Sequence, residues 1–204
     1  MVDKLSTIRY EFNGVKHPLA DGKAAGMTQG LAISFLLRCG HWQLVDIKLI
    51  TPNIQKALSF MLSDSIVSQK WGYKFIEEFY VPGTSILNGS IFTLYGLYDY
   101  CRESNDMNLF KIYIDDLKAL LPRYRLLYWS YYDLGGTVAS CFYHRLHIDM
   151  MEVLYKLTDD KIFLEYAQRW KKGLHYSCVF ILIKAFQKCL NLKKMDMSFA
   201  SKVC

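Results

Sequence analysis

Apolar residues recur at helical spacing along most of the chain, and the stripes come in pairs. Ala32, Phe35, Leu36 and Cys39 fall at i, i+3, i+4 and i+7, one face of a helix, and Ile54, Ala57, Leu58, Met61 and Leu62 repeat that spacing after Pro52. Leu87, Ile91, Leu94, Tyr95 and Tyr98 make a third stripe. After Ser104 and Asn105 comes a fourth, Phe110, Tyr113, Ile114, Leu117 and Leu121, ended by Pro122, which cannot continue a helix. His144, Ile148, Met151 and Tyr155 line a fifth helix. Asp159 or Asp160 caps a sixth, in which Phe163, Tyr166, Ala167 and Trp170 face inward and Gly173 marks the stop.

Trp71 to Tyr80 and Leu126 to Leu134 interrupt this pattern with aromatic and extended-favouring residues, and read as short strands or long loops, each ahead of a helix. Three helical hairpins whose connections gather at one end predict an all-α fold, an α/α barrel or toroid with short strands in its loops, which need not be complete. That arrangement would bring Glu77, Glu78, Tyr132 and Tyr143 to one mouth. The apolar stretch Tyr176 to Leu192 predicts an added helix covering an otherwise exposed seam.

Composition narrows the picture. At 204 residues, 52% hydrophobic and with 4 prolines, the chain is long enough to bury a core and is expected to fold throughout as one domain. The longest apolar run, Val179 to Ile183, is far short of the roughly 20 residues of a membrane span, and no basic region followed by an apolar run opens the chain, so a soluble protein is expected. A net charge of +6 favours an acidic partner, while the scattered lysines and arginines provide no nucleic-acid-binding arm. Six cysteines occur singly, without zinc or redox spacing, and read as structural thiols.

The densest chemistry lies in Tyr143, His144, Arg145, Leu146 and His147, which open the fifth helix behind the aromatic cluster Tyr128, Trp129, Tyr131, Tyr132 and Asp133. Phenol and imidazole both exchange protons when burial and neighbours tune them, so the cluster suits proton abstraction or sugar stacking, or is simply an aromatic edge. On their own, Glu77 and Glu78 read as a solvated acidic pair. His144 and His147 lack companion ligands at metal-binding spacing. Asn88 can cap the third helix and Gly89 can permit close backbone approach; Trp170 reads as a packing residue.

Four segments in order, MTQGLAIS from Met27, EEFYVPGTSILNGSIFTLYGLYDY from Glu77, LPRYRLLYWSYYDL from Leu121 and YHRLHIDMMEVLYKLTDDKIFLEYAQRW from Tyr143, resemble the C-terminal domain of D-glucuronyl C5-epimerases. The resemblance covers about residues 20 to 173 and leaves 174 to 204 as an extra segment. It implies an α/α barrel and a cofactor-independent isomerase that inverts C5 of glucuronate in a heparosan or heparan-type polysaccharide by removing a proton and returning one to the opposite face. It implies Glu78, Tyr132 and Tyr143 as proton-transfer residues, and an acidic uronate-containing polysaccharide as partner, with a homodimer or a separate β-domain chain completing the assembly. Gln29, Tyr80, Asn88, His144, Arg145 and His147 are the expected substrate contacts; no metal is expected. Here Glu78 is followed by Phe79 and then Tyr80, where the family places tyrosine directly, and Gly135 and Gly136 stand in a shortened connection to Tyr143. These departures keep open a non-catalytic uronate-polysaccharide-binding or partner-binding module on the same fold.

Overall fold

The computed structural model describes residues 10–12, 15–17, 25–79 and 85–200, with side chains over 25–79 and 85–190. It is predominantly helical, and it divides between Arg123 and Tyr124 into two compact units.

In the first unit a short antiparallel pair, β1 (Tyr10–Phe12) and β2 (Val15–His17), precedes α1 (Gly26–His41) and α2 (Ile47–Met61). The antiparallel hairpin β3 (Val67–Lys70) and β4 (Tyr73–Ile76) then leads to α3 (Leu87–Glu103) and α4 (Asn108–Leu120). A 3-10 turn, Leu121–Tyr124, runs into the second unit, which holds β5 (Arg125–Leu126), β6 (Trp129–Ser130), α5 (Cys141–Thr158), α6 (Lys161–Gly173) and, after a short 3-10 turn, α7 (Ser177–Ala200). The expected helix pairs are present as α1–α2, α3–α4 and α5–α6; the interrupting segments hold β4 and β6, while β3 lies ahead of Trp71 and β5 starts one residue before Leu126. The apolar C-terminal stretch is helical as expected.

The stripes of α4 and α6 face inward as their spacing predicts. Phe110, Tyr113, Ile114, Leu117 and Leu121 are buried, as are Phe163, Tyr166, Ala167 and Trp170. Asp160 is the cap of α6, its carboxylate accepting from Ile162 N–H at 3.1 Å, while Asp159 closes α5 in a left-handed conformation.

Helix α1 departs from its predicted face. Of the predicted stripe Cys39 is buried, but Phe35 is 66% exposed and Ala32 and Leu36 are only half-buried, whereas Gly26, Gln29, Gly30 and Ile33 turn inward. The reason is a backbone-to-backbone crossing with α3. A methyl on Gly96 would sit 2.2 Å from Gly30 O, and one on Gly30 would sit 2.7 Å from Thr93 Cα. Removing side chains lets the two helices touch, and the inward face therefore carries glycines that an apolar count cannot register. Ser34 Oγ–H donates to Asp99 Oδ2 at 2.6 Å beside Arg38, whose guanidinium lies 2.9 Å from the same oxygen, tying α1 to α3 at the rim.

Two further boundaries differ from expectation. Helix α2 begins at Ile47, before Pro52, because the Asp46 carboxylate caps Lys48 N–H at 2.9 Å and sets the start ahead of the proline. Asn88 does not cap α3, whose cap position is Ile86; Asn88 lies inside the first turn, buried, with Oδ1 unpartnered. Among the described residues no helix is long and apolar enough to cross a membrane.

The crossing gives a direct test. Gly96→Ala should lower the unfolding free energy by about 1–3 kcal/mol, the usual cost of overpacking, read as a lower urea midpoint with an unchanged slope. An unchanged midpoint would mean that α1 and α3 can separate freely.

Candidate functional site

In the first unit the candidate chemistry collects where β4 ends. Glu77 and Glu78 are 3% and 5% exposed, which overturns their reading as a solvated pair. They are enclosed because the start of α1 and the first turn of α3 both close on this segment: Gly26 N–H donates to Glu78 O at 2.8 Å, and a methyl on Gly89 would lie 2.3 Å from Glu78 Oε2. Gly89 thus has the close-approach role expected of it, and what it admits is the Glu78 side chain.

The two carboxyls differ sharply in environment. Glu77 Oε1 accepts from Ser68 Oγ–H and Ser85 Oγ–H, both at 2.7 Å, and lies 3.3 Å from the Lys70 ammonium. Glu77 Oε2 and Glu78 Oε2 are both buried without a hydrogen-bond partner. Loss of water around Glu78 disfavours its anion, and burial raises its pKa from the ordinary carboxylate range to about 7. Such a group takes and releases a proton near neutrality. Gln29 is buried in the first turns of α1, and Asn88 lies next to Gly89 on α3. Tyr80 lies outside the described residues.

In the second unit Tyr132 and Tyr143 come together, with ring centroids 4.7 Å apart and planes at 59°. Tyr132 is buried and Tyr143 half-buried. Ser140 caps α5, its hydroxyl accepting from Tyr143 N–H at 3.3 Å, and so fixes where Tyr143 leaves the helix. Tyr132 is held by its backbone, which donates to Thr137 O at 2.6 Å across a turn that Asp133 closes by accepting from Thr137 N–H at 3.1 Å.

His144 and His147 do not line an open surface; both are fully buried. Ser130 Oγ stands 2.9 Å from Nδ1 of each ring, and Ser130 N–H donates to His144 Nδ1 at 3.1 Å. An Nδ1 that accepts from an amide carries no proton, so His144 presents Nε2–H to Trp170 O at 3.0 Å. Trp129 stacks on the same ring at 3.6 Å. Burial lowers the pKa of His144 to about 4, and burial together with the adjacent His144 lowers that of His147 to about 3. Through Ser130 the two rings lock β6 to α5. Arg145, on the outer face of α5, is exposed. Among the described residues no cluster of three or more His, Cys, Asp or Glu is arranged to hold a metal ion.

The sequence reading missed Ser130 and the clamp formed by α7. Phe180 stacks on the far face of Trp129 at 4.7 Å; Gln187 Oε1 accepts from Val138 N–H at 3.1 Å, its Nε2–H donates to Gly136 O at 2.9 Å, and Lys184 donates to Val138 O. These contacts pin the turn that carries Asp133. No local pattern joins positions about fifty residues apart, so only the alternation of Phe180, Lys184 and Gln187 on one helix face hinted at them.

Two outcomes follow for this unit. Because both histidines have pKa values below the unfolded value, their contribution to stability is complete above about pH 6.5 and is lost as pH falls toward 4, by about 1.4 kcal/mol per pH unit for each imidazole. Thermal unfolding across that window should show the loss, and His147→Gln should flatten it. Gln187→Leu should speed hydrogen exchange at the Val138 amide about tenfold, the equivalent of one lost hydrogen bond; unchanged exchange would dismiss the clamp.

Residues 3–172 match the family described as D-glucuronyl C5-epimerase C-terminus. Among curated relatives, the chain is similar to a D-glucuronyl C5-epimerase of Caenorhabditis elegans, 27% identical over 179 residues, covering 74% of this chain and 29% of that one. It is also similar to an uncharacterized protein of Methanocaldococcus jannaschii, 30% identical over 115 residues, covering 55% of this chain and 37% of that one. The chain thus spans about a third of the length of these relatives. With the match running through both buried glutamates and both paired tyrosines, the chain belongs to the D-glucuronyl C5-epimerase C-terminal family.

Proposed function

We propose that this chain acts on a glucuronate-containing polysaccharide of the heparosan type and inverts C5 by proton removal and return, on an α/α barrel built from its helix pairs. The observation that carries the reading is Glu78: a buried carboxyl with an unpartnered oxygen and a pKa of about 7, in a member of an epimerase family. The C5 proton of a uronate is acidified by the adjacent carboxylate, and a base active near neutrality suits its removal.

In this reading Glu78 takes the C5 proton as carboxylate, and the bonding electrons pass into the substrate's carboxylate group. Tyr143 gives its hydroxyl proton to the opposite face, forming the new C5–H bond, with Tyr132 orienting it. No electrons are lost or gained overall; Glu78 is left protonated and Tyr143 as phenolate, and exchange with water restores both. Gln29, Asn88, Tyr80 and Arg145 are the proposed sugar contacts, and Arg145 offers a cation for the uronate carboxylate.

Incubation with a heparosan-type polymer in deuterated water should place deuterium at C5, detected by NMR. The rate should rise with pH through about 7 as Glu78 ionises. Glu78→Gln should abolish labelling and yet unfold no more easily at pH 8, because a neutral amide removes a charge whose burial opposes folding above the ordinary carboxylate pKa. Tyr143→Phe should reduce labelling by about a hundredfold or more, the usual worth of a general acid. Unlabelled polymer with folded protein would overturn catalysis; binding that persists without exchange and is indifferent to both substitutions would select a non-catalytic uronate-binding module.

A further inference from the structure

Strands β3 and β4 are joined by the two-residue turn Trp71–Gly72, and both residues have positive φ, 52° and 87°. A turn of this kind favours Asn-Gly, because a bulky residue in the left-handed region brings Cβ against the backbone. Tryptophan is a costly choice there, and the residue is 56% exposed, so burial in a core does not repay the strain. Among the described residues the Arg123 guanidinium lies over its ring, 3.8 Å from the centroid. Attraction between an exposed cation and an exposed ring is modest, of the same order as the left-handed penalty, so folding gains little from the pair.

What the pair presents is an aromatic surface with a cation on it. Tyr73, 40% exposed, follows the turn, and Lys74 is exposed beside it, its backbone N–H donating to Asp116 Oδ2 at 3.0 Å. Lys70 is directed to Glu77 instead. A pyranose ring stacks its C–H face on indole, and a guanidinium matches a carboxylate with two parallel hydrogen bonds. Strain held at an exposed aromatic is the kind of local cost that function, rather than folding, retains.

We propose that Trp71 and Arg123 form a subsite for one uronate residue of an acidic polysaccharide, Trp71 stacking on the sugar ring and Arg123 pairing with its carboxylate. The proposal rests on the reading that the chain handles uronate polymers and adds where a sugar outside the proton-transfer residues is held.

The test is calorimetric binding of heparosan oligosaccharides to the full chain, with thermal unfolding measured in parallel. Trp71→Asn should weaken binding about tenfold, a loss of about 1.4 kcal/mol, while the unfolding midpoint holds or rises because Asn-Gly suits the turn. Trp71→Phe should recover part of the affinity. Arg123→Met should weaken binding of the uronate oligosaccharide but not of the same oligosaccharide with its carboxyls reduced to alcohols. Unchanged affinity in Trp71→Asn, with the wild type binding, would overturn the subsite and leave the epimerase reading standing. Affinity that falls only in step with stability would make Trp71 structural. Failure of the wild type to bind any uronate oligosaccharide would overturn both, and tighter Trp71-dependent binding of single-stranded RNA would assign the platform to a different ligand.

Discussion

The first unit depends on how closely backbones approach around the end of β4. Helices α1 and α3 meet through Gly30 and Gly96 with no side chain between them, and that contact brings the first turns of both helices onto Glu77 and Glu78. Gly89 then leaves just the room that the Glu78 side chain fills. A buried carboxyl costs free energy unless it is paired or neutral. Glu77 meets the requirement with two serine hydroxyls and a lysine, whereas Glu78 meets it by holding its proton up to about pH 7. The proposed base therefore follows from helix packing rather than from any dedicated partner.

The second unit solves the converse problem. Two imidazoles sit in the interior, and burial keeps them neutral well below their ordinary range. Ser130 bridges their Nδ1 atoms, Trp170 O takes the Nε2–H of His144, and Trp129 lies flat between His144 and Phe180. The stack spans β6, α5 and α7, so a short strand, the helix bearing Tyr143 and the C-terminal helix behave as one packed block. Tyr132 and Tyr143 pair at the edge of that block, and Ser140 and the Asp133 turn set their backbones. Rigid support of this sort is what a proton-transfer group needs, since small misplacements cost large factors in rate.

Burial moves the carboxyl and the imidazoles in opposite directions along the pH scale, in each case favouring the uncharged form. For Glu78 the result is a proton that moves near neutrality; for His144 and His147 it is two rings with no proton to give in that range. The same physics thus gives a candidate for chemistry and two rings that pack, where the sequence reading had Glu78 among the proton-transfer residues and the two histidines among the substrate contacts. Trp71 stands apart from both, because its cost lies in backbone conformation and its indole remains in solvent.

Helical spacing alone determined the paired helices, the inward faces of α4 and α6, a cap at Asp159 or Asp160 and the places where the helices are interrupted, because each is encoded within a few residues by period and capping chemistry. The family motifs added Glu78, Tyr132 and Tyr143 as candidates. Tertiary structure decided what local pattern cannot carry: that α1 turns glycines rather than Phe35 inward, that Glu77 and Glu78 are buried, that Asn88 caps nothing, and that His144 and His147 are buried against Ser130. Periodicity reports apolar side chains, so it is silent where contact is made by missing side chains or by polar groups satisfied from distant segments. Gly30 against Gly96, Ser34 with Asp99 and Gln187 with Val138 are pairings of that kind, fixed only when the chain closes on itself.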